Sequence, residues 1–137
     1  MPIDDAEIQR LTHAGRVEEA VGRLREAREA ARAAARQPEL LRAYADLGRW
    51  QLVWGHLDDA ESSFRTAIQQ ARTGDDALDL GRALVGLART LVGAGRKDRA
   101  LLHYTEAIPL LAGPDETLHG EAMAELAALR QVPGGAR

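Results

Sequence analysis

The stretch GHLDDAESSFRTAI, Gly55–Ile68, decides the fold, because the chain writes it three times. GRVEEAVGRLREAR starts at Gly15 and GRKDRALLHYTEAI at Gly95, so the interval is 40 residues in each direction. Each copy has Gly, then Ala five residues on, then a large apolar residue, then Ala: Ala20/Leu24/Ala27, Ala60/Phe64/Ala67 and Ala100/Tyr104/Ala107. Steps of four and three keep these side chains on one face of a helix. The small alanines allow a second helix to come close, and the large residue fills the space beside them. The leading glycine suits the left-handed position that ends a preceding helix. Glu18/Glu19, Asp58/Asp59 and Asp98 follow within a turn, where acids complement the helix dipole.

The repeat continues upstream. Leu40–Gly55 matches Leu80–Gly95: Leu40 with Leu80, Arg42 with Arg82, Ala43 with Ala83, Leu47 with Leu87, Arg49 with Arg89, and Gly48 with Ala88. Shifted by 39, Gly81, Ala83, Leu84, Leu87 and Ala88 match Gly120, Ala122, Met123, Leu126 and Ala127. Each unit is therefore two helices. The pattern predicts helices near 3–14, 17–36, 39–54, 58–72, 75–94, 98–112 and 115–131. Pro38, Asp75/Asp76 and Gly113-Pro114-Asp115 punctuate the joins. The fold class is all-α: apolar residues recur at three and four, and β-branched residues never alternate with polar ones over a strand length.

A chain of 137 residues fits one domain and buries roughly 70% of its unfolded surface. Its net charge of −3 provides no basic excess for a nucleic-acid backbone. With no cysteine there is no disulfide, thiolate metal site or cysteine nucleophile. The apolar runs fall far short of the ~20 residues of a membrane span, and MPIDDAEIQR is too acidic for a signal peptide. The expectation is a soluble cytoplasmic protein that binds neither membrane nor nucleic acid. Seventeen Arg against one Lys, with no Asn, suggests a GC-rich bacterial genome.

In the middle unit Tyr44, Leu47-Gly48, Gly55, Ala60, Phe64 and Ala67 resemble the tetratricopeptide repeat signature. The third unit offers Leu84, Leu87-Ala88, Gly95, Ala100, Tyr104 and Ala107; the first has only Ile8 and Leu11 in its first helix. The spacing of 40 exceeds the usual 34 and is similar to the long-repeat bacterial and kinesin-light-chain-like variants. The resemblance covers about residues 3–131. It implies a right-handed solenoid of three helix-turn-helix repeats, about 3–37, 39–73 and 75–113, with a capping helix at 115–131 and a flexible tail at 132–137. It also implies a non-catalytic protein–protein interaction scaffold. The family's concave surface is lined by the first helix of each pair.

Mapped onto this chain, that surface includes Arg42, Arg49 and Leu52 from the second unit and Arg82, Val85, Arg89 and Val92 from the third. The arginines are seven apart on each helix, about 10.5 Å, and packed helices lie ~8–10 Å apart. Four guanidinium groups in one patch suit an acidic and apolar peptide or protein segment, because Arg grips carboxylates bidentately. The competing reading is a solvated face: Glu39–Arg42, Asp46–Arg49 and Asp79–Arg82 are local pairs worth ~0.2–0.5 kcal/mol each. Arg89 has no acid three or four residues away, which marks it as the arginine to face a partner. The absence of Asn argues against the family's carboxylate clamp for acidic peptide tails.

Trp50 and Trp54 break the repeat. They either pack between repeats against Val21, Leu24 and Ala27 or form a secondary contact for a partner or second copy. His13, His56, His103 and His119 lack metal-ligand spacing, and no nucleophile–base pair or phosphate loop is present. No enzyme activity, metal or cofactor is expected. The alternatives are a self-assembly module forming homo-oligomers, or an accessory or sensor subunit of a larger bacterial complex.

Overall fold

The computed structural model describes residues 4–34, 36–74 and 76–131. The predicted start at Ile3, Asp75 of the second join and the tail 132–137 lie outside the described residues. Among the described residues there are seven helices and no strand: α1 (Asp5–His13), α2 (Val17–Ala33), α3 (Gln37–Val53), α4 (Leu57–Gly74), α5 (Ala77–Gly93), α6 (Lys97–Leu111) and α7 (Glu116–Arg130). Each helix packs against the next in the chain, and α3 also touches α5. Pro38 lies inside the first turn of α3 and does not separate it from α2. An N-terminal turn tolerates proline because its N–H has no intrahelical acceptor there.

The three repeated glycines end α1, α3 and α5 in the same way. Gly15, Gly55 and Gly95 have φ of 74°, 78° and 80°. The next residue donates its backbone N–H five residues back: Arg16 to Leu11, His56 to Gln51 and Arg96 to Leu91, each at 2.8 Å. The glycine N–H groups reach Thr12, Leu52 and Val92 at 3.0–3.1 Å. These paired bonds form a Schellman cap, and they turn the chain straight into the following helix. At the other ends, the carboxylates of Asp4, Asp76 and Asp115 accept from the N–H groups of Ala6, Asp79 and Leu118.

The alanine and large-residue triads lie at the centre of the packing. Ala20, Ala60 and Ala100 are fully buried, as are Ala67 and Ala107; Leu24, Phe64 and Tyr104 are buried beside them. The core falls into two clusters. One runs through α4, α5, α6 and α7 around Phe64, Leu84, Leu87, Leu91, Tyr104 and Leu111. The other joins α1, α2 and α3 through Ile8, Leu11, Ala20, Leu24, Leu47 and Trp50. Ser63 donates to the Gln51 side chain at 2.7 Å, joining two buried polar groups between α3 and α4.

Candidate binding site

The four arginines lie on α3 and α5, and three of them are engaged by acids of neighbouring helices. Arg49 reaches both oxygens of Asp5 in α1, at 3.1 and 3.2 Å, and Asp46 at 3.1 Å. Trp50 donates its indole N–H to the same Asp5 at 3.3 Å. Burial works against the Arg49 charge, and the carboxylates of Asp46 and Asp5 outweigh it, so its pKa is raised. Arg82 bonds Asp115, the cap of α7, at 3.2 Å.

Arg89 corrects the expectation most sharply. Its Nε and Nη2 grip the two oxygens of Glu125 at 2.9 and 2.8 Å, and Nη2 also reaches Glu121 at 2.8 Å. The Tyr104 hydroxyl donates to Glu125 at 2.7 Å. The Arg89 hydrogen bonds hold the Glu125 carboxyl below its ordinary range. Burial, then the bond to Glu125, pushes the Tyr104 hydroxyl up. The arginine expected to face a partner clamps α7 onto α5 and α6. Its acids are 36 and 32 residues away, so a search along its own helix does not find them. The usable signal was the acidic row Glu121/Glu125 on the last helix, aligned with α5 by the repeat.

Val85 leaves the expected surface, and the two tryptophans take the packing alternative. Val85 is 1% exposed and belongs to the core. Trp50 is buried in the α1–α2–α3 cluster, against Ile8, Leu11, Ala20 and Leu24. Trp54 stacks on it with ring centroids 6.2 Å apart, and its indole N–H bonds Thr12 at 2.9 Å. The tryptophans therefore fasten α1, and Trp50 offers no surface to a partner. Leu52 and Val92 are half-buried against the main core. Val92 and Arg89 line a shallow recess of about 390 Å³ with Tyr104, Glu125, Ala128 and Leu129.

Arg42 is different. Among the described residues it has no ion-pair partner within 4.0 Å, and it borders a cleft of about 630 Å³ between α2 and α3. Leu24, Ala27, Ala30, Ala31 and Ala34 of α2 and Ala43 of α3 form the apolar floor; Arg36, Glu39, Arg42 and Asp46 form the rim. Arg36 pairs with Glu39 at 3.1 Å, and Asp46 is taken by Arg49. Arg42 makes no ion pair there among the described residues, although its charge acts on Asp46 and, at the start of α5, on Asp76 and Asp79. Burial raises the Asp46 pKa.

The cleft exists because the first unit is packed less completely than its copies. Ala27 is half-buried, whereas its counterparts Ala67 and Ala107 are fully buried. Ile68 of the second unit is replaced by Arg28, which lies over the Tyr44 ring at 5.7 Å, and Arg32 donates to the Tyr44 hydroxyl. Along this half, polar side chains bridge α2 and α3 where the later units bury apolar ones. The alanine-rich run in α2 was the sequence signal for the cleft.

Among the described residues no three metal-ligating side chains come together, and none of their helices is long and apolar enough to cross a membrane. A scan against protein-family models finds no match for this chain, and a search of curated proteins finds none.

Proposed function

We propose that this chain is a tetratricopeptide-like scaffold that binds a protein segment without catalysing a reaction. In this reading α1/α2, α3/α4 and α5/α6 are three repeats of a right-handed solenoid, and α7 caps it. Support comes from the thrice-repeated glycine cap and alanine triad, and from the chain-neighbour packing of the helices. In this reading the α2/α3 cleft carries the functional part: an apolar floor beside Arg42, a cation with no ion pair within 4.0 Å among the described residues. Its volume is in the range of binding pockets, about 300–1,000 Å³. An apolar segment bearing a carboxylate matches both features.

The test is a tagged pull-down from cells of the source, at low and high salt, comparing wild type with Ala27→Phe/Arg42→Glu. Arg49 and Arg89 stay intact because they hold α1 and α7. A protein retained by wild type and lost by the variant, with weaker retention at high salt, supports the reading. Equal retention by both moves the interface away from the cleft. No retained protein contradicts the scaffold reading.

A further inference from the structure

We propose that the α2/α3 cleft is the seat of an amphipathic α-helix from a partner protein, which lies as an end-to-end extension of α1 and brings a carboxylate to Arg42. This inference deepens the scaffold reading and rests on it. It starts from a difference in length. α1 has 9 residues, whereas α3 and α5 have 17 each. The Asp4 side chain caps α1 by accepting from Ala6 N–H at 3.0 Å, so the helix starts there. The difference of eight residues amounts to about 12 Å of helix. α1 and α2 run antiparallel through the tight Gly15 turn, so α1 covers only the first half of α2.

The cleft continues the place where α1 sits. Ile8 and Leu11 pack with Ala20 and Leu24 on one side and Leu47 and Trp50 on the other. The cleft begins at Leu24 and Asp46, and runs on through Ala27, Ala31 and Ala34 of α2 and Ala43, Arg42 and Glu39 of α3. From Leu24 to Ala34 is about 15 Å, nearly three helical turns. One repeat along, the molecule displays the missing occupant. The longer α3 touches both α4 and α5, with Tyr44 and Ala45 packed on the main core. There Ala67 is 0% exposed and Ala83 1%. A floor of alanines admits a helix at close range and takes large side chains from it.

Charge gives the register. Asp5 of α1 meets Arg49, and Arg42 lies two turns back along α3, about 10.5 Å. A helix extending α1 places an acid seven residues before Asp5 beside Arg42. The cleft is apolar along the α2 side and charged only along its α3 rim. A long apolar floor with charge along one edge matches the two faces of an amphipathic helix.

The probe is a fluorescein-labelled peptide of Gln37–Ala43, the part of α3 whose equivalent place lies ahead of the Asp4 cap of α1, preceded by an added Glu-Ala-Ala-Ala-Lys turn. Pro38→Glu supplies the acid, because position 38 lies seven before Ala45, the counterpart of Asp5. A lactam joining the added Glu and Lys offsets the marginal stability of so short a helix. Fluorescence anisotropy with the full chain should show saturable binding at about tens of micromolar. Ala27→Phe fills the floor at a half-exposed site and should weaken binding at least tenfold. Arg42→Glu should weaken it several-fold and remove its salt dependence. No binding up to about 1 mM, or binding indifferent to Ala27→Phe, overturns the helix seat. Displacement of anilinonaphthalene sulfonate by small amphiphiles but never by the peptide makes the cleft a small-ligand pocket and also overturns it. If a partner is still retained in the pull-down after such a failure, the scaffold reading survives; if neither peptide nor partner binds, both fall.

Discussion

Phe64 sets the tolerance of the central packing. Its ring lies between α3 and α5 where both present glycine. A Cβ built on Gly86 would stand 2.3 Å from the ring, and one on Gly48 would stand 3.1 Å away. Overpacking of this kind costs ~1–3 kcal/mol, against a gain of about 1 kcal/mol for Ala over Gly within a helix. Gly86→Ala should therefore lower Tm, and Gly86→Ala/Phe64→Leu should recover part of the loss. Gly22→Ala should raise Tm, because nothing lies within 4 Å of its new Cβ; about 0.5–1 kcal/mol corresponds to a few degrees. Thermal melts of the three variants check both signs. The Phe64 position was legible from the repeat. The roles of Gly48 and Gly86 were not, because glycine in a helix reads the same whether a ring abuts it or solvent does.

Among the elements, α1 and α7 are held by polar clamps as much as by apolar contact. Arg89→Ala releases Glu125 and Glu121 and should loosen α7, with faster hydrogen exchange over Glu116–Arg130 than in α5. The loss is about 1 kcal/mol, since the groups are partly solvated. The clamp has a pH signature. The Glu125 carboxyl titrates lower in the folded chain than its ordinary 4.5. Its contribution is therefore complete above that value and is lost as pH falls through the lower folded value. Glu125→Gln should flatten the fall of Tm between about pH 5 and pH 3. At the other end, Trp54→Phe removes the bond to Thr12 and should speed exchange in α1 alone. The helices themselves were legible to within a few residues from three-four periodicity and repeated glycines. The clamps were not: Asp5–Arg49 and Arg89–Glu125 join residues distant in sequence, and pairing rules at three and four residues find only local partners such as Asp46–Arg49.

Over the whole molecule, the repeat accounts for both what is filled and what is open. Three copies of one hairpin give similar caps and similar alanine contacts, but the first copy has a short leading helix and Arg28 in place of Ile68. Its second half is therefore left as the cleft beside Arg42. On the arginine face Arg49, Arg82 and Arg89 join α1 and α7 to the rest of the molecule, while Arg42 has no ion pair among the described residues. Charge reversal at Arg49 and Arg89 should lower Tm, and any change in binding by that variant would reflect loosened α1 and α7. The most direct measurement is a titration of the 15N-labelled chain with the lactam-bridged Gln37–Ala43 peptide bearing Pro38→Glu, followed by amide chemical shifts. The account predicts shifts confined to Leu24–Ala34 of α2, Arg36–Asp46 of α3 and the start of α1, with α5–α7 still. Shifts centred on Arg82, Arg89 and α7, or none at saturating peptide, would contradict it.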